Sequence, residues 1–136
     1  MHASKQQLAA LTMLTARSDF LAIQKHGKRW TSRGLVLQVR ENDVGIIRVG
    51  YTVTKRVDKR AVVRNRIKRR LRSIAADILP LKAKVGYDYI LVGRASTNTY
   101  PYKQLMADLK WCLKRTECYN IPPDTQEPAS QGVSDG

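Results

Sequence analysis

Between Lys59 and Leu79, apolar residues fall at Val63, Ile67, Leu71, Ile74 and Ile78, in steps of four, four, three and four. That spacing keeps a single apolar stripe on one side of a helix and predicts a helix over 59–79, with Pro80 closing it. What lies opposite the stripe constrains the chain further. Ten bases fall between Lys55 and Arg72, against one acid, Asp58. Arg60, Arg64, Lys68 and Arg72 recur every fourth residue as one row along the helix. Asn65 and Arg69 make a neighbouring row, and Arg66 and Arg70 flank the stripe on its other side. Like charges at this spacing repel by a few tenths of a kcal/mol per pair. A solvated outer face would interleave Glu, yet no acid follows until Asp77. A face that meets phosphates needs no acids, and arginine's planar fork suits phosphate oxygens bidentately.

The whole chain repeats this imbalance. Its 136 residues hold 25 Lys and Arg against 11 Asp and Glu, a net charge of +14. Such an excess implies a polyanionic partner, either nucleic acid or an anionic membrane surface. No run of about 18 apolar residues is present, which excludes a transmembrane helix. Residues 8–14 are too short, and too weakly preceded by charge, to read as a signal peptide. Only two cysteines, Cys112 and Cys118, and two histidines, His2 and His26, occur. They cannot supply a four-ligand zinc site or a recommended Cys–His nucleophilic pair, and the cysteines read as reduced thiols on or near a terminal helix. No glycine-rich phosphate loop occurs. The chain shows no catalytic apparatus of its own.

Length argues for one domain. Residues 120–136 hold Asp124, Glu127 and Asp135 with no base and three prolines. They are expected to be a disordered acidic tail, and residues 1–119 a single RNA-binding domain. Ahead of the basic helix, Ser18 as N-cap and Gly27 as terminator predict a short helix over 18–26. Residues 34–40 and 44–54 read as strands, the second with a bend at Gly50 that can split it in two. After Pro80, residues 86–94 read as a strand. Leu105, Leu109 and Leu113 predict a last helix over 102–118. The order α-β-β-β-α-β-α is that of an α+β protein, with helices packed on a mixed four-stranded sheet. No helix-turn-helix spacing precedes the basic helix and no heptads follow it, so RNA fits at least as well as DNA.

Val49-Gly50-Tyr51-Thr52-Val53-Thr54-Lys55-Arg56, followed by Ala61-Val62-Val63-Arg64-Asn65-Arg66-Ile67-Lys68-Arg69-Arg70-Leu71-Arg72, resembles the signature of the bacterial ribonuclease P protein subunit. Asp19-Phe20, Gly27, Arg33, the strand ending at Arg94 and the leucine-spaced last helix extend the likeness over residues 14–115. The resemblance implies a fold similar to the second domain of ribosomal protein S5, with a left-handed βαβ crossover through the basic helix. It implies a cytoplasmic protein that binds a catalytic RNA and precursor tRNA. The RNA with its Mg²⁺ removes the 5′ leader, and the protein alone is inactive. Carried over residue by residue, Arg64, Asn65, Arg66, Lys68, Arg69 and Arg72 match the family's RNA-contacting helix, and Arg60 joins them through its place in the row. Phe20, Arg94 and Lys55 are the candidates for contact with the leader. Phe20 matches an aromatic of the cleft between the first helix and the sheet.

This chain departs from the pattern at three places. Gln24 stands where many members carry a second aromatic, and Gln38 where many have one on the first strand. Trp30 is expected in core packing. Asp58-Lys59-Arg60 replaces a glycine near the helix start. The resemblance implies a leader cleft more polar than usual, and it maps no protein-side metal site onto this chain. Two other functions remain open. One is a ribosomal or RNA-assembly protein without a processing role. The other is a protein-only nuclease, which needs clustered carboxylates for Mg²⁺, and only eight of the eleven acids precede residue 120.

Overall fold

The computed structural model describes residues 11–120. The acidic segment 121–136 and residues 1–10 lie outside them, as does the expectation of a disordered tail. In chain order the elements are β1 (Leu11–Met13), α1 (Arg17–His26), β2 (Lys28–Thr31), β3 (Leu35–Glu41), β4 (Ile47–Thr52), α2 (Ala61–Lys82), β5 (Tyr87–Gly93), a 3-10 turn (Ala95–Asn98) and α3 (Tyr102–Arg115). The strands form one sheet in the order β1-β4-β5-β3-β2. β5 pairs parallel with β4 and antiparallel with β3, and β1 adds to the far side of β4 in parallel. The basic helix α2 is therefore the crossover between two adjacent parallel strands.

The mixed α+β architecture agrees with the sequence reading, but the sheet has five strands rather than four. β4 is not split at Gly50. The additional strands are β1 and β2, both at sheet edges. Each is short, and only one side chain of β2, Trp30, turns inward, so neither carries the alternation that marks a strand. Trp30 stands opposite Leu37 and packs against the main core, as expected.

Alternation along the central strands makes two layers. Leu35, Leu37, Val39, Ile47, Val49, Tyr89 and Leu91 face α2 and α3, where they meet Ile67, Leu71, Ile74, Leu105, Leu109 and Leu113 in the main core. Ile90 faces the other way, against Leu14 and Ile23, with Phe20 and Val92 packed alongside. Ile67 lies directly over Gly93: a Cβ on that glycine would meet the Ile67 Cγ2 at 2.6 Å. The helix backbone can approach the sheet this closely because β5 has no side chain there.

Helix ends differ from the sequence reading in four places, the first being the start of α2, which begins at Ala61 after its N-cap Arg60 rather than at Lys59. α2 runs through Pro80 to Lys82. Proline removes one intrahelical bond and disfavours the helical conformation of the residue before it. Here that residue, Leu79, is fully buried with Ile78 and Ala83 around it, and the Ala83 amide still donates to the Leu79 carbonyl at 3.1 Å. Burial outweighs the lost bond. α1 starts at Arg17 after Ala16, not at Ser18, although Asp19 does sit in its first turn and the Gly27 amide closes it on the Ile23 carbonyl at 2.8 Å. α3 stops at Arg115, because Glu117 turns the chain with φ of 65°. The Cys118 amide then closes back on the Leu113 carbonyl at 2.7 Å, and Tyr119 bridges to Ala83.

Cys112 and Cys118 are both free and fully buried. Burial pushes the Cys112 thiol up to about 11 and raises that of Cys118 as well. Since the thiolate is the reactive form, both should be inert toward a disulfide reagent at pH 8 while the protein is folded. The expected outcome is no release of thiol colour from native protein and two equivalents in denaturant; rapid native reaction of either would show that the α3 end opens readily.

Candidate RNA interface

α2 divides its residues cleanly. Val63, Ile67, Leu71, Ile74, Ala75, Ile78 and Leu79 are buried. Opposite them, Arg60, Asn65, Arg66, Arg69 and Arg72 are exposed, and Arg64 and Lys68 are half-buried. The sequence-derived row Arg60–Arg64–Lys68–Arg72 is thus on one outward face.

Not every base of the helix is free. Arg60 is the N-cap and donates to Asp58 through Nε at 3.0 Å and Nη2 at 2.9 Å, while its backbone amide donates to the same carboxylate at 2.8 Å. These contacts hold the Asp58 carboxyl down at about 2. Arg64 folds back along the helix start and donates to the carbonyls of Asp58 and Lys59 at 3.0 and 2.8 Å. Arg66 reaches Asn98 Oδ1 at 3.2 Å. Arg70 donates to the carbonyls of Thr97 and Asn98 at 2.9 and 3.0 Å and to that of Tyr100. It therefore clamps the 3-10 turn onto α2. Arg72 places its guanidinium 5.5 Å from the Tyr51 ring centroid, and burial raises the Tyr51 hydroxyl against the opposing pull of Arg72. Among the described residues, Arg60 is the one base of the 55–72 run in an ion pair. Lys55, on the loop after β4, is exposed.

The other layer carries the second candidate region. Phe20 is half-buried, with its ring edge laid on Gly50 so closely that a Cβ there would sit 2.5 Å from Cζ. Thr15, Arg17, Phe20, Leu21, Gln24 and Thr52 line a cavity of about 400 Å³ beside it. Phe20 is thus both part of the small core under α1 and part of an open wall. Gln24 lines that cavity, one helical turn from Phe20. Gln38 does not: it is 5% exposed beneath α1, and its Oε1 has no hydrogen-bond partner among the described residues. Of the two glutamines, Gln24 alone lines this cavity. Arg94 continues the alternation that puts Ile90 and Val92 on the α1 side, and its guanidinium donates to the Ser32 carbonyl. It is exposed but tied to the β2–β3 loop.

Sequence reading gave no role to the ion-pair network that fixes α1. Arg48 grips Asp88 bidentately, Nε and Nη2 each at 2.7 Å, and lies 3.9 Å from Asp19 on α1. Asn42 adds a bond to Asp88 at 2.8 Å. A signal existed in retrospect, since Arg48 and Asp88 are register partners on β4 and β5, but register cannot be read from one sequence. This network bears on a metal site too. Asp19, Glu41, Asp43 and Asp88 line one open pocket with Arg40, Asn42 and Arg48. The Asp88 oxygens are already taken, and among the described residues no group of three or more His, Cys, Asp or Glu side chains could hold a metal ion. The described residues do not fit a protein-side divalent site.

A crossover helix with one buried stripe and one base-rich face, set on a mixed sheet, defines a basic nucleic-acid-binding α+β protein. Among the described residues, no helix is long and apolar enough to cross a membrane. The family model described as Ribonuclease P matches residues 8–117. The ribonuclease P protein component of Paramagnetospirillum magneticum is 37% identical over 132 residues, covering 90% of this chain and 98% of that protein. That of Ruegeria pomeroyi is 40% identical over 111 residues, covering 79% and 87%. The fold is similar to the Staphylococcus aureus RNase P protein, with TM-score 0.67 and 26% identity over 79% of this chain and 97% of that one. It is also similar to the Thermotoga maritima RNase P protein, with TM-score 0.63 and 26% identity over 77% and 94%. The chain belongs to the ribonuclease P protein component family. It is the protein part of a ribonucleoprotein endoribonuclease, with an RNA subunit as partner.

The contact between Phe20 and Gly50 yields a direct test. Gly50→Ala should cost about 1–3 kcal/mol through overpacking. In a Phe20→Leu background the same substitution should cost clearly less, because the two positions share one contact. Urea unfolding of the four proteins checks this; additive losses would mean that the ring and the glycine do not meet.

Proposed function

We propose that the outward face of α2 holds the catalytic RNA and that the cavity under α1 receives the 5′ leader of precursor tRNA, so that the protein positions substrate while the RNA performs the cut. The observation that carries this reading is the row Arg60–Arg64–Lys68–Arg72. It stands opposite a buried stripe and, among the described residues, pairs with no carboxylate but Asp58. Phosphates docked on this row relieve its internal repulsion, and Asn65, Arg66 and Arg69 add donors on either side. Phe20 offers a ring face for a leader base, with Lys55 and Arg94 supplying charge near the strand ends.

Hydrolysis to a 5′-phosphate tRNA is assigned to the RNA subunit, in the cytoplasm. Mg²⁺ is assigned to that RNA, since among the described residues no group of three or more His, Cys, Asp or Glu side chains could hold a metal ion. The protein supplies no general base or nucleophile to the reaction; its part is binding and charge neutralisation. The rival reading, an RNA-assembly protein without a processing role, has no specific observation in its favour.

Reconstitution tests the proposal. RNA-free protein should cleave nothing at any Mg²⁺ concentration, and it should restore leader removal by its cognate catalytic RNA at low Mg²⁺. Cleavage by the protein alone, or no rescue of the RNA, would overturn it.

Binding measurements separate the two surfaces. Replacing Arg64 and Lys68 together by Ala should shrink the slope of log affinity against log salt for the catalytic RNA by roughly 1.5 units, the loss of about two phosphate contacts. Phe20→Leu should instead weaken binding of precursor more than of mature tRNA. An unchanged slope, or equal losses for both tRNAs, would remove the corresponding assignment.

A further inference from the structure

The C-terminal end of α3 and the edge strand β2 hold a cluster that neither the α2 face nor the α1 cavity uses. The Arg115 guanidinium lies 4.5 Å from the Trp30 ring centroid and 5.5 Å from that of Trp111. Trp30 packs against the main core, whereas Trp111 is 51% exposed. Beside them, Lys114 stands 4.9 Å over the Tyr119 ring and Lys82 stands 5.9 Å from it. Among the described residues, the nearby acids are already engaged: Glu117 pairs with Lys28, and Asp108 accepts the Gly34 amide.

Trp111 and Arg115 are four residues apart on α3, so the helix sets one beside the other. Arg115 in turn rests on Trp30, whose place is fixed by the core and by β2. The exposed indole is therefore held by a planar cation and flanked by Lys110 and Lys114, with no free carboxylate beside them among the described residues. An apolar protein face docked here would strip water from these cations without pairing them, which is costly. A chain of planar rings joined by phosphates satisfies both features at once: rings stack on indole and guanidinium, and phosphates meet the lysines.

We propose that the Trp30–Arg115–Trp111 stack is a second nucleic-acid site, a stacking platform for unpaired nucleotides of single-stranded RNA. It rests on the reading of the chain as an RNA-binding protein, and not on leader processing. Stacking tolerates any base, so the platform is sequence-indifferent and salt-dependent.

The chain's only two tryptophans are both in this cluster, which gives a site-specific signal. The full chain is titrated with dodecauridylate while tryptophan emission is followed, and anisotropy of the labelled oligomer is measured in parallel. Emission should change saturably with the same midpoint as anisotropy, and it should still do so when Arg64 and Lys68 are both replaced by Ala. In that doubly substituted background, Trp111→Ala should weaken binding about five- to tenfold, and Trp111→Phe should retain most of it. The exposed position makes an unchanged melting curve the expected control for both variants. Three results would overturn the proposal. One is binding by anisotropy with no change in emission. Another is equal affinity for Trp111→Ala and the unsubstituted protein. The third is an emission change that follows protein concentration without RNA, which would make the cluster a contact between copies. Failure of this test leaves reconstituted leader cleavage untouched, so the two readings stand or fall separately.

Discussion

The seating of α2 on the sheet governs the rest of the molecule. Ile67 drops onto Gly93 where β5 has no side chain, and Val63, Leu71, Ile74, Ile78 and Leu79 continue the contact along the helix. Each buried aliphatic side chain contributes about 1.5–3 kcal/mol relative to exposure. The opposing repulsion within the row Arg60–Arg64–Lys68–Arg72 amounts to a few tenths of a kcal/mol per pair. Burial therefore decides the rotation of the helix, and the bases face outward because nothing else is left for them to do. A helix whose stripe were one position out of phase would turn part of the base row into the core.

Within that fixed rotation, guanidinium groups divide into fasteners and free donors according to which carbonyls lie near them. Arg70 is spent on three carbonyls around the 3-10 turn, and Arg48 on Asp88. Arg64 is bonded to the turn that starts its own helix, so it stiffens the helix start that carries it. Arg69 and Arg72 remain in solvent, with Arg72 steadied over Tyr51 rather than neutralised. Charge count alone would treat all of these alike. The sequence run of ten bases is therefore an upper bound on the phosphate contacts this face can make.

Legibility followed the strength of local periodicity. α2, β3, β5 and α3 were readable because their apolar spacing reports a buried face directly. Pro80 misled, since its local cost is overridden by the burial of Leu79, a tertiary effect that no window of sequence contains. β1 and β2 were invisible because edge strands bury little; Trp30 is the single inward residue that could have hinted at β2. The basic row was legible in full, whereas the Arg48–Asp88–Asp19 network required knowing that β4 and β5 are neighbours. The pairing of Phe20 with Gly50 is of the same kind: each residue was noticed, and their contact could not be.

The two faces of the sheet show why the region under α1 is open while the α2 layer is filled. α2 and α3 together cover one face with long apolar rows. α1 has ten residues and buries only Ile23 completely. Leu14 and Ile90 complete that small core, and Gln38, buried next to Ile90 across β3 and β5, has an oxygen without a partner among the described residues. An unsatisfied buried oxygen costs about 1–3 kcal/mol. A layer this thin has to be held by something besides apolar contact. Arg48 does so by reaching from the sheet to Asp19 on the helix while remaining locked to Asp88. Polar fastening at one end and a single ring at the other leave the space between them accessible. The same economy that makes α1 a weak cover for the sheet is what leaves Phe20 with an exposed face.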